Sequence, residues 1–188
     1  MFSFDSKFFF FFFAALIKQD KILECLKTAA QLGSVDAKRE LGILHEEGKG
    51  GAKKDSKEAA RLYQEAVDLG EFTCLKYLAH LYELGDGVQK DVNKCFELLN
   101  LSTTYYCSLG TIILAHKYMD GSGVEQDPKK AFDLLRVTYE YGDPNSAAVI
   151  ARMYKEGKGV KQNLSKAKQI LEFAKKKDAL PHFTNFTI

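Results

Sequence analysis

The chain has no C-x-x-C pair, no apolar run long enough to span a bilayer and no cluster of catalytic side chains. Each absence removes a class of function. Its four cysteines, Cys25, Cys74, Cys95 and Cys107, are scattered, and without paired thiols neither a zinc site nor a dithiol redox centre is indicated. Cys25, Cys74 and Cys95 fall on apolar helical stripes, where a free thiol acts as a small hydrophobe. The longest apolar stretch, Phe8 to Ile17, is ten residues, against the ~20 of a membrane-spanning helix. It matches the length of a signal-peptide core, but only Lys7 precedes it and no A-x-A cleavage site follows. The expected role is an apolar cap on the first repeat, with membrane contact confined to this segment.

Charge of one sign is also lacking overall. There are 27 basic and 25 acidic side chains, for a net charge of +2. Ile150 to Lys177 nonetheless carries nine Lys/Arg against Glu156 and Glu172, or +7, leaving −5 elsewhere. A basic end of this kind suits an acidic partner or an anionic surface, or simply a solvated face. No aromatic side chains interleave with the bases as a nucleic-acid platform requires, so no nucleic-acid partner is expected.

What the sequence has is a glycine pair that returns four times: Gly48/Gly50, Gly85/Gly87, Gly121/Gly123 and Gly157/Gly159, with first glycines 37, 36 and 36 residues apart. A period in this range marks a solenoid. Counting back from the first glycine, position −11 is Ala37, Cys74, Gly110 and Ser146, and −7 is Leu41, Leu78, Leu114 and Ile150. Position −6 is Gly42, Ala79, Ala115 and Ala151, and −3 is His45, Tyr82, Tyr118 and Tyr154. These offsets share one helical face, small, large, small, aromatic. A second helix starts at each of the N-cap residues Asp55, Asp91, Asp127 and Asn163. Its stripe runs Ala59, Cys95, Ala131 and Ala167, then Leu62-Tyr63, Leu98-Leu99, Leu134-Leu135 and Ile170-Leu171.

Gly33, Gly70 and Gly142 fit helix C-caps. Tyr106 stands where the fourth is due, and because tyrosine tolerates positive φ poorly this turn is expected to differ from its siblings. Before the first full repeat, Ile22, Cys25, Leu26 and Ala29 predict a lone helix with the same stripe. The organisation read from this pattern is an apolar segment 1–17, a partial repeat 18–34, full repeats 35–70, 71–106, 107–142 and 143–177, and a tail 178–188 that is either frayed or a strap on the last helix pair.

The repeated unit, small-x-x-x-Leu-[Gly/Ala]-x-x-Tyr-x-x-Gly-x-Gly-Val-x-x-Asp-x-x-Lys-Ala, resembles the Sel-one-like repeat, a cousin of the tetratricopeptide repeat. Departures are the extra Gly51 in the first loop, His45 for tyrosine and the missing glycine at Tyr106. The resemblance implies an all-α fold of α/α hairpins in a right-handed superhelix, serving as a non-enzymatic adaptor for a protein or peptide, with no cofactor. By analogy with tetratricopeptide repeats, it places Asp36, Arg39, Ile43, Glu46, Thr73, Lys76, His80, Glu83, Leu109, Ile112, His116, Met119, Asn145, Ala148, Arg152 and Lys155 on the concave face. Of these, Arg39, Ile43, Lys76, His80, Leu109, Ile112, His116, Met119, Arg152 and Lys155 are the candidate partner contacts. Leu109, Ile112 and Met119 form either an apolar anchor patch open to solvent or a wall buried by tight curling of the stack.

Rival chemistries find little support. The Gly-x-Gly loops follow helices and lack both the third glycine of a dinucleotide fingerprint and the Gly-Lys-[Ser/Thr] of a P-loop. His80 and His116 share a slot one repeat apart, but packed helices stand ~8–10 Å apart and zinc ligands ~2 Å from their ion, so two surface positions are expected and no metal. A secreted, cysteine-rich branch of the resembled family acts on β-lactams and staples each helix pair. Its second cysteine is Thr103 in the Cys74 unit, so that framework is missing, which favours a reducing, cytoplasmic setting. Against this, Asn100, Asn163 and Asn185, three of five asparagines, begin N-x-[Ser/Thr] sequons and leave a secretory or endoplasmic-reticulum setting as the alternative.

Overall fold

The computed structural model describes residues 21–177. Phe8–Ile17, Pro181, the tail and Asn185 lie outside them. The described residues are helical, with no strand among them, and divide into two compact units at Asp91/Val92. The first contains α1 (21–31), α2 (Val35–Glu47), α3 (Ser56–Asp68) and a 3₁₀ turn, Phe72–Cys74, leading into α4 (Leu75–Leu84). The second contains α5 (Val92–Thr104), α6 (Ser108–Asp120), α7 (Pro128–Glu140), α8 (Pro144–Glu156) and α9 (Leu164–Lys176). Within the units the closest packing is between hairpin partners, α2 with α3, α6 with α7 and α8 with α9.

The four glycine loops close in one way. Each first glycine is left-handed and donates its N–H to the helix behind it, Gly48 to Leu44, Gly85 to Leu81, Gly121 to Lys117 and Gly157 to Met153. The N–H of the next N-cap residue then reaches back to the carbonyl of the aromatic slot: Asp55 to His45, Asp91 to Tyr82, Asp127 to Tyr118 and Asn163 to Tyr154, at 2.8–2.9 Å. Asp55, Asp127 and Asn163 also cap their helices by accepting from Glu58, Lys130 and Lys166, which satisfies donors the helix leaves unpaired.

The second glycine answers to packing as well as to dihedral. A Cβ on Gly87 would overlap the backbone of Ser56 and Lys57, and one on Gly159 that of Pro128. Each loop therefore rests on the first turn of the preceding second helix within its unit. Gly123 is looser, with Phe96 3.3 Å from the position its Cβ would take.

The turn at Tyr106 is a correction to the sequence reading. Tyr106 adopts φ 55°, beside 91°, 95° and 85° at Gly33, Gly70 and Gly142. Its hydrogen bonds are the siblings' own: Tyr106 N–H to Thr103 and Cys107 N–H to Ser102, as Gly70 to Val67 and Glu71 to Ala66. The helix-ending hydrogen bonds and helix packing override the residue's preference, and the Tyr106 ring meets Tyr141 edge-on at 4.7 Å. In a Tyr141→Ala background, where that ring contact is gone, Tyr106→Gly is expected to raise the free energy of urea unfolding by about 0.5–1 kcal/mol. This is the left-handed strain of ~1–2 kcal/mol less glycine's larger unfolded-state entropy. An unchanged or lower value would show that the backbone there is unstrained.

The stripe of α1 is also shifted. Leu23 and Ala30 are buried in one cluster with Ala37, Leu41, Ala52 and Leu62, and Leu26 and Ala29 pack against it. Ile22 is half exposed and Cys25 exposed. A second helix normally turns that side toward its own first helix, and among the described residues α1 has none ahead of it.

Candidate functional site

Two elements bring predicted residues together in the first unit. Arg39 on α2 is half-buried and held by carboxylates, Asp36 at 2.9 Å, Glu40 at 3.1 Å and Glu71 at 3.3 Å. Lys76 on α4 is also half-buried, with its ammonium 4.5 Å from the centre of the Tyr77 ring. Burial pulls Lys76 below the usual lysine range, and the nearby Arg39 cation lowers it further. Lys76 has no carboxylate partner among the described residues. His80 is exposed and Ile43 half-buried on the same two helices. Beneath them Tyr63, fully enclosed, stacks on Tyr77 at 5.0 Å and donates its phenol to Glu46 at 2.7 Å.

The sequence reading did not find Tyr77, Glu40 or Glu71, since −8 lies beside the slots taken from the analogy and Glu71 precedes its helix. It also left His45 as an unexplained departure. Lys130 lies 4.3 Å over Tyr118 and Lys166 4.5 Å over Tyr154. The first repeat exchanges both members, with His45 in the aromatic slot and Glu58 in the lysine slot, close enough for His45 to act on Glu58 electrostatically. Reading the two slots together would have shown the exchange.

In the second unit the apolar patch is, of the two alternatives, the buried wall, which removes Ile112 and Met119 from the candidate contacts. Ile112 is 2% and Met119 8% exposed, and Leu109 is half-buried. Helices α6 and α8 pack directly, and the α8 slots Ala147, Ala148 and Ala151 are fully buried, small side chains that let helices approach closely. Ile112 and Met119 are core, as is Ala148. His116, Arg152 and Lys155 are half-buried.

A second pair of surfaces was missed. In the first unit the groove between α1 and α3, floored by α2, is lined by ion pairs: Lys38 of α2 with Glu65 of α3 at 2.5 Å and, within α3, Arg61 with Glu58 at 2.6 Å and with Glu65. The equivalent groove of the second unit, about 260 Å³ between α5 and α7, has Thr111 and Val137 where Lys38 and Glu65 stand, and Leu134 beside them. Comparing those slots across repeats would have revealed it.

Of the cysteines, Cys74 and Cys95 are buried, and burial pushes the Cys74 thiol up to about 12, so it behaves as packing rather than as a nucleophile. Among the described residues no group of His, Cys, Asp and Glu is arranged to hold a metal, and no helix is long and apolar enough to cross a membrane.

No curated protein matches the chain in sequence. Solved structures do resemble it. A Sel1 repeat protein from Oxalobacter formigenes superposes with a TM-score of 0.69 at 23% identity, over 87% of this chain and 70% of that one. A protective antigen present in uropathogenic Escherichia coli strains, displaying an SLR fold, gives 0.67 at 24% identity over 82% of this chain and 33% of its own. Cysteine rich protein B of Helicobacter pylori gives 0.50 at 19% identity over 64% and 92%. At these identities the likeness establishes the fold, a solenoid of α/α hairpins. The Sel1 repeat profile matches residues 35–71, 74–103, 109–143 and 144–178, and such repeats are generally protein-interaction scaffolds. With four matches over most of its length, the chain belongs to the Sel1 repeat family.

Proposed function

We propose that this chain is a non-enzymatic adaptor that binds a protein or peptide segment on its first-helix faces, through Arg39, Ile43, Lys76 and His80 in the first unit and through Leu109, His116, Arg152 and Lys155 in the second. The observation that supports this most is Lys76. A half-buried ammonium with a ring beneath it, a second cation beside it and no carboxylate of its own is costly to maintain. An acidic side chain of a partner relieves that cost, and Tyr77 and Ile43 supply apolar area around it. Enclosed Ile112 and Met119 take no part. The cytoplasmic setting belongs to the same proposal, since an adaptor with free thiols suits a reducing compartment.

The test uses a partner recovered by affinity capture from the native cells and its binding to Lys76→Glu, Arg152→Glu and, as an outer-face control, Lys57→Glu. Lys76→Glu is expected to weaken binding about tenfold or more, chiefly through a slower, less salt-dependent association. The control is expected to bind as the parent does. Equal binding by all three folded variants would move the partner to another face, with the α5/α7 groove the first to examine.

A further inference from the structure

In the second unit a second helix meets the following hairpin through a slot five residues after its N-cap residue, and in α7 also through one twelve residues after it. In α5 the first slot is Phe96, whose ring approaches Gly123 and lies 5.7 Å from the Lys117 ammonium. In α7 the slots are Phe132, edge-on to Tyr154 at 5.6 Å, and Tyr139, edge-on to Phe173 at 5.9 Å. The residue that follows the N-cap supports the next loop: Val92 lies under Gly123 and Pro128 under Gly159. In α9 these three positions are Lys168, Lys175 and Leu164. All three are exposed, Leu164 at 54%. Neither lysine has an ion pair among the described residues. Between Lys158 and Lys177 there are seven lysines and one acidic residue, Glu172.

We propose that this face of α9 docks an acidic helix of a partner protein. The slots keep the geometry of a helix-stacking face, because seven residues bring Lys168 and Lys175 onto one side of α9, ~10 Å apart along its axis. Only their chemistry has changed. An apolar helix seated there would leave two ammonium groups without a charge partner and fits less well. A helix with carboxylates two turns apart pairs with both, while the lysine stems and Leu164 cover its apolar atoms. A membrane surface fits less well, since a single exposed leucine is too little apolar area to insert. This surface is separate from the Lys76 face, and each can fail alone.

The probe is an acetylated helical peptide of repeating Glu-Ala-Leu-Glu-Ala-Ala units, about twenty residues and so ~30 Å long, titrated into the full chain at low salt. A counterpart with Gln for Glu serves as control. The Glu peptide is expected to bind with an affinity that falls with added salt. The Gln peptide, and Lys168→Glu/Lys175→Glu with the Glu peptide, are expected to bind at least about tenfold more weakly. Lys168→Gln/Lys175→Gln should fall between, and circular dichroism should show unchanged melting for both variants. The proposal is overturned if the Glu peptide does not bind, if the Gln peptide binds equally, or if the reversed variant retains parental affinity. Binding to phosphatidylserine vesicles with none to the peptide would also overturn it and assign these lysines to a membrane.

Discussion

Gly159→Ala is expected to lower the free energy of unfolding of its unit by about 2–5 kcal/mol, and Gly87→Ala to do the same in the other. Two costs combine. An L-residue held left-handed loses about 1–2 kcal/mol. A methyl driven into the backbone of Pro128 or Ser56 adds about 1–3 kcal/mol more, because neither loop nor helix can move without disturbing its capping hydrogen bonds. Gly142→Ala separates the two terms. Gly142 has φ 85° and nothing within 4 Å of where a Cβ would stand, so only the first cost applies. Urea titrations of the parent, Gly142→Ala and Gly159→Ala decide the matter. If the last two lose the same stability, the loop does not rest on the preceding helix as described.

The second large effect is a coupling between Gly42 and Tyr63. The other repeats carry Ala79 with Leu99, Ala115 with Leu135 and Ala151 with Leu171 in these slots. The first repeat alone has glycine with tyrosine, and a Cβ on Gly42 would overlap the Tyr63 ring. Gly42→Ala is therefore expected to cost about 1–3 kcal/mol by overpacking, even though alanine favours the helix by ~1 kcal/mol. Tyr63→Leu should cost about 2–3 kcal/mol through lost ring volume and the phenol–Glu46 hydrogen bond. Together they recreate the Ala/Leu pair of the sister repeats. The double variant is expected to be about 1–2 kcal/mol more stable than the sum of the single losses predicts. Strict additivity in thermal or urea unfolding would mean that the ring and the missing methyl do not compete for the same space.

The period, the helix boundaries and the caps were legible in the chain itself, because each depends on a few neighbouring residues and recurs about every 36 positions. Asp55, Asp127 and Asn163 cap where an N-cap residue should, and Leu114, Ala115 and Ile150 are buried as their offsets require. Of the candidate contacts, Arg39, Lys76 and His80 keep at least part of their surface on α2 and α4, whereas Ile112 and Met119 are core. What the chain alone could not decide was what lies opposite each side chain. Ile112 and Met119 have the same local pattern whether exposed or enclosed, and the alanines that let α8 close on α6 stand 28 to 39 residues away. Tyr106 is left-handed against its own preference because the helix-ending bonds and packing around it outweigh ~1–2 kcal/mol of strain. Ile22 and Cys25 hold core slots, yet remain exposed because no described helix precedes α1. Local propensity sets where these helices begin and end; burial, strain and the company of a charge depend on contacts distant in sequence, and only the tertiary structure decides them.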